Sequence, residues 1–312
     1  MMPFPLSLVA DIGGTSTSVA LAKGPELLSD TIRHFQNADF AGVEALLQSY
    51  LSGAGDLDGA CVAVAGPVRG GVANLTALDW TIDEAMLKNV TGATTVAILN
   101  DLQAQGHALG HIAPEKLLAV IPGPLRPEEG SLVVGVGCGF NAVPVYETSA
   151  GRIIPPSECG HARLPLKLTE DIELAQYLQE TVGYVAVEEV LSRRGLERLG
   201  AFVSNRPSTP RLVTAVPIPK NGTEKAAQLF VRLLGAYVGD LALTYSPFGG
   251  IYLCGKLARE FGPLLEGKGF ESAFVDKGPF SLDMRRFAVR AIMDSDAILT
   301  GCAVYLNENL HT

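Results

Sequence analysis

Short runs rich in Val, Ile, Leu and Ala alternate along the chain with longer stretches whose apolar residues return every three or four positions. Runs of the first kind predict strands at residues 7–10, 61–65, 96–99, 132–136, 251–254 and 287–292, and helical patterns follow several of them. This alternation is the mark of an α/β protein. The clearest helix spans residues 224–243, where Leu229, Leu233, Tyr237 and Leu241 share one i,i+4 row, with Phe230, Leu234, Val238 and Ala242 beside it. Two adjacent apolar rows predict a largely buried helix. Gly235 and Gly239 then suggest a close approach to a sheet.

The hydrophobic pattern also repeats. Leu8-Val9-Ala10-Asp11-Ile12-Gly13-Gly14-Thr15 reads against Leu132-Val133-Val134-Gly135-Val136-Gly137-Cys138-Gly139 at an offset of 124, and Val19 and Leu21 then fall on Val143 and Val145. Each copy is expected to be a strand, a glycine turn and a second strand, used once in each of two similar domains. Glycine turns of this kind offer backbone N–H groups to phosphate oxygens, through close approach and unusual dihedrals, although either alone also reads as an ordinary tight turn.

Composition narrows the function classes. The chain has 312 residues, enough for two domains, with 47% hydrophobic and 18% charged residues and a net charge of −9. No basic footprint for nucleic acid or anionic lipid exists, so a small-molecule ligand is expected. Arg232 and Asp240 interrupt one apolar stretch, and glycines, Asn141 and Pro144 interrupt another, before either reaches membrane-spanning length. The Met-Met-Pro-Phe-Pro start lacks a basic region, which predicts a cytoplasmic protein. Five widely spaced cysteines (61, 138, 159, 254 and 302) suit reduced thiols in apolar runs, not disulfides or zinc ligands.

Three places carry candidate chemistry. Asp11 precedes the first glycine turn, where a carboxylate can hold Mg²⁺ through water beside a phosphate chain or simply form an Asx turn. Asn100-Asp101 ends a strand before a helical pattern at residues 102–109; the pair suits a general base with an orienting amide, or equally a helix N-cap. Glu158-Cys159-Gly160-His161 follows Pro155-Pro156 and is expected on a loop, where Glu and His together suit adjacent sugar hydroxyls. His107 and His111 have i,i+4 spacing but straddle Gly110 at an expected helix end, and read as solvated histidines in place of metal ligands.

With these segments in order, the chain resembles the bacterial glucokinases of the hexokinase and actin-like ATPase superfamily. The resemblance rests on Asp11-Ile12-Gly13-Gly14-Thr15, Val64-Ala65-Gly66-Pro67-Val68, residues 75–80, Leu99-Asn100-Asp101, Gly135 through Gly139, and Glu158-x-Gly160-His161. Further on it rests on Glu188-Glu189-Val190-Leu191-Ser192, Phe248-Gly249-Gly250-Ile251 with Gly255, and Phe274-Val275-Asp276-Lys277-Gly278. It implies an actin-like ATPase (ribonuclease H-like) α/β fold with a duplicated mixed-sheet domain and an interdomain cleft. The expected domains are 1–110 with 297–312, and 111–296. It further implies phosphoryl transfer from ATP, with Mg²⁺, to the 6-hydroxyl of glucose or a related hexose, usually by a homodimer.

Carried over by position, Asp101 matches the catalytic base, and Asn100, Glu158, His161 and Glu188 match groups that hold sugar hydroxyls. Glu188 is preferred to Glu189 because it stands three residues before Leu191. Asp11, Gly13, Gly14 and Thr15, with Gly137, Cys138, Gly139 and Gly255, fall on the ATP side, Asp11 as the Mg²⁺ contact through water. No cysteine cluster follows the Glu-x-Gly-His segment, which disfavours the zinc-containing ROK subgroup. Departures gather on the nucleotide side: Ser16 and Ser18 where Asn and Arg are usual, Cys138 for a threonine, Arg193 for a glycine, and Lys256 for a glycine. The rival reading is a sugar-binding regulator without turnover.

Overall fold

The computed structural model describes residues 5–52, 55–75, 78–204 and 220–310. Residues 1–4 of the N-terminal segment and Thr76 and Ala77 of the 75–80 segment lie outside these. The chain forms two compact units, one running to Ala113 and resuming at Asp294, the other spanning Pro114–Met293.

The first unit contains β1 (Leu6–Ile12), β2 (Ser16–Lys23), β3 (Glu26–Leu27), β4 (Arg33–Gln36), α1 (Val43–Leu51), β5 (Gly59–Val64), β6 (Val68–Arg69), β7 (Val72–Leu75), β8 (Trp80–Asp83), α2 (Glu84–Thr91), β9 (Thr95–Asn100) and α3 (Asp101–Ala108). Its main sheet runs β3-β2-β1-β5-β9, with β4 also on β2, while β6–β8 form a small antiparallel sheet. The strands read as unbroken apolar runs because both faces are covered. Leu8 and Ala10 pack with Leu46, Leu47, Ile82 and Leu87 on one side, and Val9 with Cys61, Leu99, Cys302 and Leu306 on the other.

The second unit contains β10 (Leu117–Ile121), β11 (Ser131–Val136), β12 (Phe140–Thr148), β13 (Gly151–Ile153), α4 (Thr169–Thr181), α5 (Arg193–Val203), α6 (Lys220–Tyr245), β14 (Ile251–Cys254), α7 (Lys256–Leu265), α8 (Phe270–Val275) and β15 (Val289–Ile292). Its sheet order is β10-β15-β14-β11-β12-β13. The last helix, α9 (Ala297–Leu310), belongs to the first unit and closes the face that holds Val9. A Cβ on its Gly301 would lie 1.7 Å from the Ala104 carbonyl oxygen, so only glycine admits α3 this closely.

The sequence repeat is a repeat of topology. In one unit β2-β1-β5-β9 pair antiparallel, parallel and parallel, and in the other β12-β11-β14-β15 do the same. The turns differ in length. Ala10 faces Val19, whereas Val134 faces Ala142, so the counterpart of Val19 is Ala142 and not Val143. The second turn is one residue shorter, and the constant offset holds only for the first strand of each hairpin.

Other expectations are also revised. Gly235 and Gly239 of α6 face α8 and not a sheet, since Cβ atoms there would lie 2.3 and 2.5 Å from the carbonyl oxygens of Phe270 and Phe274. The stretch Glu224–Tyr245 of α6 is long and apolar enough to cross a membrane by length and composition, despite Arg232 and Asp240 within it. Its apolar rows are buried in the unit's core, and Arg232 and Asp240 bind Asp171 and Lys277. His107 is buried, 4.9 Å from the Tyr305 ring and 3.6 Å from Glu308, so only His111 is exposed as predicted. All five cysteines are free, but Cys138 is exposed.

Candidate active site

In the first unit, β1 and β9 run parallel to the intervening β5, which places Asp11, Asn100 and Asp101 at one edge of the sheet. Ligands of open α/β sheets bind at such carboxyl ends. Asp11 pairs across β2 with Ser18, whose hydroxyl bonds His34 Nδ1 at 2.9 Å. The thiol of Cys302 behind this edge is pushed well up by burial, then by the Cys61 thiol, with the Asp11 charge adding to it. It stays protonated and packs as an apolar group.

The first turn, Gly13-Gly14-Thr15-Ser16, closes through the Gly13 N–H donating to the Ser16 carbonyl at 3.0 Å. Buried Asn37 clamps it. Its Nδ2 donates to Gly13 O at 2.8 Å, its backbone N–H donates to Thr15 O at 2.9 Å, and its Oδ1 accepts from the Thr17 hydroxyl at 2.8 Å. Nothing in the sequence pattern singled out Asn37, since it stands in a 3-10 turn far from the motif.

Of the two roles open for this pair, the helix cap falls to Asn100. Asn100 is the N-cap of α3, accepting from Leu102 N–H at 3.0 Å, while Gln103 completes a capping box and Asn100 Nδ2 donates to Gly66 O at 2.9 Å. Asp101 is the first helical residue. Its Oδ1 accepts from Leu102 N–H at 2.9 Å, which fixes the carboxylate at the sheet edge.

In the second unit three distant segments meet. The turn Gly137-Cys138-Gly139 closes through Gly137 N–H donating to Gly139 O at 2.9 Å. Glu188 Oε2 accepts from Phe140 N–H at 3.0 Å and would lie 2.6 Å from a Cβ on Gly139. The Glu188 backbone N–H donates to Gly160 O at 2.8 Å, and a Cβ on Gly160 would lie 2.0 Å from Phe140 O. Glycine at 160 thus lets the 158–161 segment sit on the second hairpin. Glu189 points elsewhere, into an ion pair with Arg198.

Glu158 and His161 are exposed on this segment, a loop between β13 and α4 that contains a 3-10 turn at Cys159–His161 with Glu158 just before it. Asn141 on β12 anchors it, with Nδ2 donating to Ser157 O and Oδ1 accepting from Cys159 N–H. The Tyr237 hydroxyl donates to Cys159 O at 2.7 Å. Burial pushes both the Tyr237 phenol and the Cys159 thiol up, so the support beneath Glu158 and His161 carries no charge. None of the four turn glycines (13, 14, 137 and 139) takes a positive φ; a Cβ would crowd Glu188 at Gly139 and the Ser16 carbonyl at Gly13, while at Gly14 it would meet nothing within 4 Å.

The sequence pattern of the glucokinase family matches residues 8–309. The chain belongs to the glucokinase family. A curated relative, the glucokinase of Mesorhizobium japonicum, is 31% identical over 97% of this chain and 91% of its own length. The crystal structure of a glucokinase from an Antarctic psychrotroph has a TM-score of 0.85 at 25% identity, covering 98% of this chain and 99% of that one. A glucokinase from Balamuthia mandrillaris solved in complex with glucose has a TM-score of 0.78 at 20% identity over 98% and 94% of the two chains, a likeness of fold. Glucokinases are ATP-dependent hexose kinases, and the actin-like fold expected from the motifs is the one observed.

Within a glucokinase fold, the missed positions are structural supports that carry no motif. Asn37 and Asn141 are polar residues whose bracing bonds reach segments 15 residues or more away in the chain, Asn37 to Gly13 and Asn141 to Ser157.

Proposed function

We propose that this chain transfers the γ-phosphoryl group of ATP to the 6-hydroxyl of glucose, and that it works as a cytoplasmic homodimer. The observation that supports this best is the convergence of Glu188, the second glycine turn and the 158–161 segment, which joins sugar-type and phosphate-type groups in one place. In this reading Glu158, His161, Glu188 and Asn100 hold sugar hydroxyls. The two turns hold the phosphates through backbone N–H groups, with Gly255 beside the second. Asp101 accepts the proton of the 6-hydroxyl as its oxygen bonds to phosphorus and the bond to ADP breaks.

Asp11 suits Mg²⁺ arriving with the nucleotide, because that ion needs few carboxylates and completes its shell with water and phosphate oxygens. Bound there, the ion supplies charge neutralisation for the phosphates. The protein's own part is positioning: the Asp101 carboxylate is fixed by the first turn of α3, and α3 is fixed against Gly301 of α9.

The test is a coupled assay with Mg·ATP across glucose, mannose, fructose and glucosamine. Glucose turnover is expected in the wild type. Asp101→Asn keeps the shape and removes the base, so kcat should fall about 10²-fold or more while glucose affinity by calorimetry changes much less. No turnover on any hexose, or normal kcat in Asp101→Asn, would overturn the assignment.

A further inference from the structure

Two helices begin at the second glycine turn. The backbone N–H of Arg193, first residue of α5, donates to Gly137 O at 2.9 Å. The backbone nitrogen of Lys256, first residue of α7, lies 4.0 Å from where a Cβ on Gly137 would stand. The Arg193 side chain joins the two helices, since its Nη2 donates to both carboxylate oxygens of Glu260 at 2.9 and 2.8 Å. That bond uses one nitrogen of the guanidinium. Among the described residues no partner takes the donors on Nε and Nη1, and the side chain is 43% exposed. A half-exposed cation with unused donors is therefore carried by the residue whose backbone meets the turn.

The turn itself lacks something. Cys138 is exposed at its tip, where the family resemblance leads one to expect threonine, and a thiol is a weak hydrogen-bond donor. A guanidinium is a stronger one, always charged and matched in shape to phosphate oxygens. We propose that Arg193 is a phosphate-binding residue for the nucleotide in this chain, replacing the hydroxyl that Cys138 does not supply, and that Glu260 positions its guanidinium. The two substitutions are then one compensated change and not two separate losses.

Glu260, one turn into α7, holds the guanidinium, which limits the rotamers that must be frozen when phosphate binds. Because the pair is exposed, its own contribution to folding is small. Removing Arg193 should therefore be read in nucleotide binding with little change in melting temperature.

This inference rests on the reading that the second turn cradles ATP phosphates, and the experiment separates the two. Binding of Mg²⁺ with the non-hydrolysable analogue AMPPNP is measured by calorimetry, beside KM for ATP and for glucose. Arg193→Ala should weaken AMPPNP binding and raise the ATP KM about tenfold, the scale of a lost charge-assisted bond, with glucose KM within about twofold. Arg193→Lys should recover part of the loss, because it restores charge without the fork. Glu260→Gln should weaken binding about threefold.

The decisive arm is coupling. Cys138→Thr should tighten AMPPNP binding several-fold in the Arg193→Ala background and clearly less in the wild type, which a merely structural Arg193 would not produce. Equal or tighter AMPPNP binding in Arg193→Ala, with wild-type glucose turnover intact, would overturn the inference and leave the kinase reading standing. A wild type that neither binds AMPPNP nor phosphorylates any hexose would overturn both.

Discussion

The two glycine turns come from one sequence pattern yet are held in different ways. The first is clamped from within its own unit by Asn37, only 2% exposed, whose amide and backbone reach Gly13, Thr15 and Thr17. The second is one residue shorter and is held by groups that also face outward: Glu188, whose side chain is 21% exposed, and the start of α5 at Arg193. The first clamp is wholly consumed by the fold. In the second, the groups that support the turn are the ones proposed to touch sugar and phosphate. Likeness of sequence in a hairpin thus predicts the hairpin, not what steadies it.

That contrast can be broken experimentally, most severely at Asn37. Asn37→Ala removes two side-chain bonds and strands the hydroxyl of fully buried Thr17, so urea unfolding should show a loss of about 3 kcal/mol. A loss below about 1 kcal/mol would mean that water or a rearranged turn satisfies those groups, and the first clamp would not be consumed by the fold as described.

Glu188→Gln tests the second clamp. The amide oxygen can still accept from Phe140 N–H, so stability should change by less than about 1 kcal/mol. Glucose binding by calorimetry should nevertheless weaken by about 1–2 kcal/mol, since a charged acceptor for sugar hydroxyls becomes a neutral one. The reverse result, a large stability loss with unchanged glucose affinity, would make the two clamps alike.

The smallest effect is expected at the tip of the second turn. Cys138→Thr in the otherwise wild-type chain should tighten nucleotide binding by about 0.5 kcal/mol, the low end for a neutral hydrogen bond, because Arg193 already serves the same phosphates. Titration with AMPPNP checks this. A gain of 1.5 kcal/mol or more would mean that Arg193 offsets nothing at the second turn.

How far the sequence reaches is visible in the same residues. The strands around Leu8, Val62, Ile98, Leu132 and Leu253 were legible because buried strands impose continuous apolar runs, and the row from Leu229 to Leu241 because a helix imposes a period. Both are local constraints written in neighbouring positions. The preference for Glu188 over Glu189 came from motif spacing, and in the structure only Glu188 bonds the second hairpin, at Phe140, while Glu189 pairs with Arg198 and Arg194 lies near both.

Asn100 and Asp101 show where local reading stops. Cap and base demand the same residue types at the same place; the folded chain gives the cap to Asn100 and makes Asp101 the first residue of α3, where the base role is a proposal.

By itself, the sequence determined an α/β chain with two strand-turn-strand hairpins, the residue types at their turns, and the family that shares them. Tertiary structure alone decided that Gly235 and Gly239 serve α8, that His107 is buried, that Asn37 and Asn141 brace the candidate site, and that Arg193 reaches Glu260. The physical reason is range. Periodicity records which face of an element is buried, whereas a single hydrogen bond or close approach between residues dozens of positions apart leaves no period in either segment, and exists only once folding has brought them together.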